Sequence, residues 1–259
     1  MKSRVYIIAE AGVNHNGNED MAFQLVDVAV AAGADAVKFQ TFKTENVVTK
    51  SADKAKYQKQ TTDSNESQFE MIKKLELSHE MHHKLIAYCR EKGVEFLSTA
   101  FDSESLNFLT NELGLKTLKI PSGEITNGPL LLEHAQTGCN LILSTGMATL
   151  GEIEEALCVL AFGLINNSKT KSSTATFQQA YFSTEGQKLL KERVTLLHCT
   201  TEYPAPLQDI NLKAMHTMRT AFDLKTGYSD HSKGVTVPIA ATAMGAILIE
   251  KHFTLDKTL

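Results

Sequence analysis

The chain has 259 residues, a formal net charge of -4 and 42% hydrophobic residues. That hydrophobic content excludes intrinsic disorder, which follows low hydrophobicity and high net charge. The mild acidity argues against non-specific nucleic-acid binding, which rests on clustered positive charge. No apolar run reaches roughly 18 residues, so no membrane-spanning helix is expected.

Cys89, Cys139, Cys158 and Cys199 form no Cys-x-x-Cys pair, which argues against a zinc knuckle or a thioredoxin-type motif. Three of them lie in apolar periodic segments and read as small core residues in a reducing compartment. Met1-Lys2-Ser3-Arg4 runs straight into the strand-like Val5–Ala9, without the apolar stretch and cleavage site of a secretion signal. A cytoplasmic location is the expectation.

Short apolar runs alternate with helical patterns along the chain. Strands are predicted at Val5–Ala11, Ala36–Phe42, Glu95–Phe101, Thr117–Pro121, Asn140–Thr145, Val194–Thr200, Thr226–Ser229 and Ala246–Phe253. Helices are predicted near 19–32, 79–92, 103–113, 128–137, 150–163, 210–222 and 233–245. Ser78 and Asp102 suit N-caps, and Gly33, Gly93, Gly114 and Gly138 fall where helices should stop. Eight strands alternating with helices predict a parallel sheet closed into a (β/α)8 TIM barrel, α/β in class, which takes roughly 250 residues. A doubly wound sheet is the runner-up, but no Gly-x-Gly-x-x-Gly follows the first strand.

One catalytic barrel domain over residues 1–259 is thus expected, with two departures from its rhythm. Residues 43–77 form a long polar βα connection with a helix near 66–75, on the side where barrels build active sites. Residues 164–192 form a peripheral αβ insertion on the opposite rim. The chain stops just after the eighth strand, so the last helix of a closed barrel is expected to be missing.

In a parallel barrel the chemistry lies at the carboxyl ends of the strands. Those ends carry, in order, Glu10; Lys38 and Gln40; Ser98 and Thr99; Lys119, Ser122 and Glu124; Ser144 and Thr145; His198, Thr200, Thr201 and Tyr203; Ser229, Asp230 and His231; and Glu250, Lys251 and His252. Two lysines among hydroxyls suit a phosphorylated anion. Two imidazoles from neighbouring strands, His231 and His252, suit a divalent metal acting as a Lewis acid. A structural alternative pairs Lys38 and Lys119 with Glu10 and Glu124 as ion pairs, and makes the histidines hydrogen-bonded core residues. His79-Glu80-Met81-His82-His83 matches the zincin helix motif H-E-x-x-H. On a helical wheel, however, His79 and His83 point away from the apolar stripe, towards solvent.

The segments IIAEAGVNHNG (7–17), AVKFQTF (36–42), FLSTAFD (96–102), LKIPSGEITN (118–127), ILSTGMAT (142–149), LLHCTTEYPAP (196–206), GYSDHS (227–232) and IEKHFTLD (249–256) occur in an order that resembles the sialic acid synthase family. The resemblance implies a transferase that joins phosphoenolpyruvate to an acylamino sugar, N-acetylmannosamine or a relative, and releases phosphate. Legionaminic or pseudaminic acid synthesis from a 2,4-diacetamido-trideoxy hexose is the alternative. A non-catalytic barrel binding a phospho-sugar and a Schiff-base aldolase are rivals from other classes. The resemblance further implies that Lys38, Thr99, Lys119, Ser122, Ser144 and Ser229 hold phosphoenolpyruvate. Thr201 stands at a further contact position where some synthases have Asn. Gln40, Glu124 and Tyr203 would touch the sugar, with Glu124 as acid/base and Glu10 as an acidic residue near the metal. His231 and His252 would bind manganese, magnesium or cobalt, and a homodimer is expected. The family's C-terminal antifreeze-like domain has no counterpart in this chain.

Overall fold

The structure, a computed structural model, describes residues 4–54, 66–165 and 170–258. The expectations that rest on residues 1–3, 55–65 and 166–169 lie outside the described residues.

The elements run β1 (Tyr6–Gly12), α1 (Glu19–Ala31), β2 (Ala36–Thr41), α2 (Thr44–Val47), α3 (Gln68–Lys73), α4 (His79–Lys92), β3 (Glu95–Ala100), α5 (Ser103–Asn107), β4 (Thr117–Ile120), α6 (Gly128–Gln136), β5 (Asn140–Ser144), α7 (Leu150–Ile165), α8 (Thr174–Phe182), α9 (Thr184–Arg193), β6 (Val194–Cys199), α10 (Lys213–Phe222), β7 (Lys225–Asp230), α11 (Thr236–Ala243) and β8 (Leu248–His252). The strands pair in parallel, in chain order, and close into a barrel. Each expected strand is present within one or two residues of its expected ends. Among the described residues no helix is long and apolar enough to cross a membrane.

The chain divides into two compact units, Ile8–Leu113 with His252–Leu259, and Met1–Ile7 with Gly114–Lys251. In the first, α1 starts where the Asn18 side chain accepts from the Met21 amide, with Glu19 and Asp20 favourable at the positive helix end. It buries Ala22, Leu25, Val26 and Ala29, the i, i+3, i+4, i+7 face of an amphipathic helix. Ser78 caps α4, and Gly93 ends it at φ 74°, a left-handed conformation glycine adopts without strain. Asp102 caps α5 by accepting from the Ser105 amide. The helix expected over 103–113 is α helical only to Asn107; Phe108–Glu112 is a π-helical turn.

That turn corrects the solvent-facing assignment of His79. Its ring stacks on Phe108 at 3.7 Å and 7°, whereas His83 is exposed. His82 is the buried member of the triplet. Its Nδ1 donates to the Ser78 carbonyl (2.9 Å), so Nε2 accepts from Thr41 Oγ1 (2.7 Å), which in turn accepts from Ser98 Oγ (2.7 Å). Burial pushes the pKa of His82 down to about 4, and burial plus the nearby His82 does the same to His15. Below pH ~6.5 the unfolded chain protonates both imidazoles while the native state does not, until about pH 4. Stability should therefore fall as pH drops through that window, by on the order of 3 kcal/mol for each histidine taken alone. Urea titrations at pH 7 and 4.5 check it: His82→Gln, less stable at pH 7, should lose less on acidification than the wild type. An equal loss in both proteins would contradict this account.

In the second unit a cluster of Met215, Tyr228, Val237, Ala241, Ala246 and Ile249 packs the helix-facing side of β7 and β8. The described part of the 164–192 insertion folds as two helices. Ser173 starts α8 with a reciprocal cap shared with Thr176, Ser183 caps α9, and Phe177 meets Phe162 of α7 edge to face at 5.1 Å. All four cysteines are buried and free.

Candidate active site

In the unit that holds β1 to β3, Glu10, Lys38 and Thr99 are each 2% exposed. Parallel register sets Glu10 beside Lys38, and β2 runs alongside β3. Lys38 Nζ lies 2.6 Å from Glu10 Oε2 and donates to Thr99 Oγ1 at 3.0 Å. The register of β1 slips between Glu10 and Gly12, a bulge of the kind that re-aims side chains. Gly12 has φ 55°, and a Cβ there would lie 3.4 Å from Glu10 Oε1, 3.5 Å from Gln40 Nε2 and 3.7 Å from His252 Cε1. Glu10, Gln40 and His252 thus converge on one backbone position that a larger residue would fill. Asn14 Nδ2 donates to the Phe253 carbonyl (2.6 Å), and the Phe253 amide to the Glu10 carbonyl (3.2 Å), which fastens the turn beyond His252.

In the other unit, Lys119 donates to Glu250 Oε1 at 3.1 Å, and Ser229 Oγ donates to the same oxygen at 2.9 Å. The Lys119 and Glu250 side chains are 6% and 4% exposed. Ser122 Oγ accepts from the Gly146 amide (2.9 Å) and lies 3.1 Å from Cys199 Sγ. A Cβ on Gly146 would strike Thr201 Oγ1 and come within 2.9 Å of Cys199 Sγ and of Ser122 Oγ. Only a glycine lets these polar groups close around the end of β5. Ser144, also at that end, buries a hydroxyl that has no partner among the described residues. A buried unpaired hydroxyl costs on the order of 1–3 kcal/mol unless something bonds to it, which marks a place for a polar ligand.

Tyr203 is 42% exposed. Its ring lies 4.2 Å from that of His231. His231 Nδ1 lies 2.7 Å from the Thr200 carbonyl, which only accepts, so Nδ1 carries the proton. With Nδ1 turned to that carbonyl, Nε2 is the nitrogen through which this ring would bind a metal. Glu124 sits half-buried in a short 3-10 turn and accepts from Asn127 Nδ2 at 2.7 Å. Among the described residues no three His, Cys, Asp or Glu side chains gather as a ready-made metal cage.

The ion-pair alternative therefore holds for Lys38 with Glu10, while the partner of Lys119 is Glu250 and not Glu124. Sequence reasoning missed the glycines at 12 and 146, and it placed Glu250 at a strand end without giving it a role. Glu250 shares its strand face with the expected ligand His252, two residues on, and that parity was the available signal.

Residues 25–259 match the NeuB family. The N,N'-diacetyllegionaminic acid synthase of Campylobacter jejuni is 50% identical over 99% of this chain and 69% of its own length; that of Legionella pneumophila is 47% identical over 98% and 65%. The human N-acetylneuraminate-9-phosphate synthase is 31% identical over 98% of the chain and 63% of its own length. This chain thus spans about two thirds of each of these relatives. Among solved structures, the N-acetylneuraminic acid synthetase of Leptospira borgpetersenii, in complex with citrate, superposes with a TM-score of 0.77 at 33% identity, over 99% of this chain and 75% of that one. The chain belongs to the NeuB family, whose named members here are synthases.

Proposed function

We propose that this barrel catalyses the condensation of phosphoenolpyruvate with an acylamino hexose to give a nonulosonic acid and inorganic phosphate. The observation that carries the reading is the buried cluster at the strand ends of the second unit. There, Lys119 stands on Glu250, and Ser144 holds out an unpaired buried hydroxyl. A cation and a free donor in a dry setting suit a phosphate or carboxylate oxygen. Lys119 with Ser122, Ser144, Thr201 and Ser229 then orients phosphoenolpyruvate.

The acceptor expected first, N-acetylmannosamine, gives way to a 2,4-diacetamido-trideoxy hexose. The relatives at 50% and 47% identity are named for legionaminic acid, and those at 31% for N-acetylneuraminate 9-phosphate or pseudaminic acid. Gln40 and Tyr203 would hold the sugar. Carbon 3 of phosphoenolpyruvate attacks the aldehyde carbon, whose oxygen takes a proton and becomes a hydroxyl. Water adds at carbon 2 and gives up one proton; the carbon 2–oxygen bond to phosphate then breaks as the new hydroxyl loses its proton and becomes the keto group, and the phosphate leaves with a proton. Glu124, half-exposed and held by Asn127, is assigned the proton transfers of the last two steps. A divalent cation at His231 would supply polarisation of the aldehyde oxygen. The Nδ1–H of His231, held on the Thr200 carbonyl, fits that role because it fixes the ring's orientation. The reading places a homodimer in the cytoplasm.

Calorimetric titration of phosphoenolpyruvate into the protein, with manganese and then with excess chelator, tests the reading. Saturable binding at one site supports it, and a panel of acceptors follows with phosphate release as readout. The diacetamido hexose should exceed N-acetylmannosamine in kcat/KM by about tenfold or more, the scale of a few pocket contacts. No binding by folded protein in either condition would remove the substrate assignment.

A further inference from the structure

Asp230 and Lys251 face each other in the β7–β8 register, one step beyond Ser229 and Glu250. Side chains alternate along a strand. Tyr228 and Ile249 belong to the helix-facing cluster, so Asp230 and Lys251 share that outer side, and Ser229, Glu250 and His231 take the other. Asp230 is a fully buried carboxylate with its acceptors in use. Oδ1 takes the Ser232 amide (3.0 Å) and Ser232 Oγ (2.7 Å), and Oδ2 takes Lys251 Nζ (2.5 Å). Lys251 Nζ also donates to the Ser232 carbonyl at 2.8 Å. Neutralising Asp230 needs only the first of these two bonds. The second, with the Asp230 contacts, pins both the amide and the carbonyl of the residue that follows His231. From the β6 side the Ala205 amide donates to the His231 carbonyl (3.0 Å), and the Thr200 carbonyl takes the imidazole proton.

We propose that Lys251 is a positioning residue for His231: by clasping Asp230 and the Ser232 carbonyl together it holds the β7 turn so that the imidazole keeps its Nδ1–H on Thr200 and presents Nε2. The inference rests on the reading of His231 as a cation ligand. Removing an outer support of a metal-binding histidine typically weakens the metal about 10- to 100-fold. Lys251→Met should weaken manganese binding by that factor, and change phosphoenolpyruvate affinity in chelator less than about threefold.

Lys251→Met also strands a buried carboxylate, so stability alone does not discriminate. The double variant Asp230→Asn/Lys251→Met buries no lone charge. It should regain most of the lost Tm while manganese binding stays about tenfold or more weaker than in the wild type. Imidazole nitrogen NMR gives a second readout without metal, with the His231 signals identified by their loss in His231→Gln. The wild type should show a single Nδ1–H tautomer, and both variants a mixture. Wild-type manganese affinity in either variant, or an unchanged tautomer, would overturn the positioning role. A wild-type protein that binds no manganese yet keeps the tautomer dependence on Lys251 would instead remove the metal assignment. Should Lys251→Met fail to fold, the double variant carries the same test.

Discussion

Lys119→Ala should weaken phosphoenolpyruvate binding about a hundredfold and leave acceptor binding within a few-fold, by calorimetry with each ligand. A hydrogen bond to a charged group is worth ~1.5–3 kcal/mol net, which is about one to two powers of ten in affinity. The buried setting puts the effect at the upper end, since water screens it poorly there. Stability should fall as well. Lys119 and Glu250 pair at 3.1 Å with both side chains almost fully buried, and breaking such a pair from one side costs ~3–5 kcal/mol. The two losses separate in Lys119→Ala/Glu250→Gln, which leaves no lone carboxylate. Its Tm should recover towards the wild type, while the phosphoenolpyruvate defect should persist. Equal losses for both ligands would make Lys119 a structural residue.

Gly227→Ala should destabilise the fold by about 3 kcal/mol or more, at the upper end of overpacking effects. Gly227 lies within β7, opposite Leu197 of β6. Its Cβ would run into the Leu248 carbonyl oxygen and lie 2.8 Å from Leu197 Cδ2 and 3.1 Å from the Leu248 carbonyl carbon. The obstacle is the backbone of β8, which cannot turn aside as a side chain can. Relief requires β8 to move, and β8 carries Glu250 and Lys251. The variant should therefore also bind phosphoenolpyruvate more weakly than its stability loss alone implies. Urea titration gives the first number, with the slope unchanged and the midpoint lowered. Gly123→Ala is the control, because a Cβ there meets nothing within 4 Å. A loss for Gly227→Ala under ~1 kcal/mol would mean that β7 and β8 separate freely.

Much of the fold was legible because its signals are local. Apolar runs bounded by glycines marked the strands, and Ser78 and Asp102 cap helices, as expected, by bonding amides three residues on. The errors arose where a distant element supplied the environment. The helical wheel sent His79 to solvent because it could not include Phe108, which arrives on a π-helical turn from another segment. The list of strand ends contained Glu250, but nothing local distinguished it from Glu124 as the partner of Lys119. The two members of that pair are 131 residues apart.

The sequence by itself determined the parallel barrel, the order of its strands and which residues stand at their carboxyl ends. Alternation and capping depend on near neighbours alone. The tertiary structure alone decided the pairings: Lys38 with Glu10, Lys119 with Glu250, Asp230 with Lys251, and the closure of Ser122, Cys199 and Thr201 around Gly146. Those depend on the register between strands and on distances of a few tenths of an ångström. Both are settled only when the whole core packs, because a shift of one residue would turn every side chain of a strand to its other face.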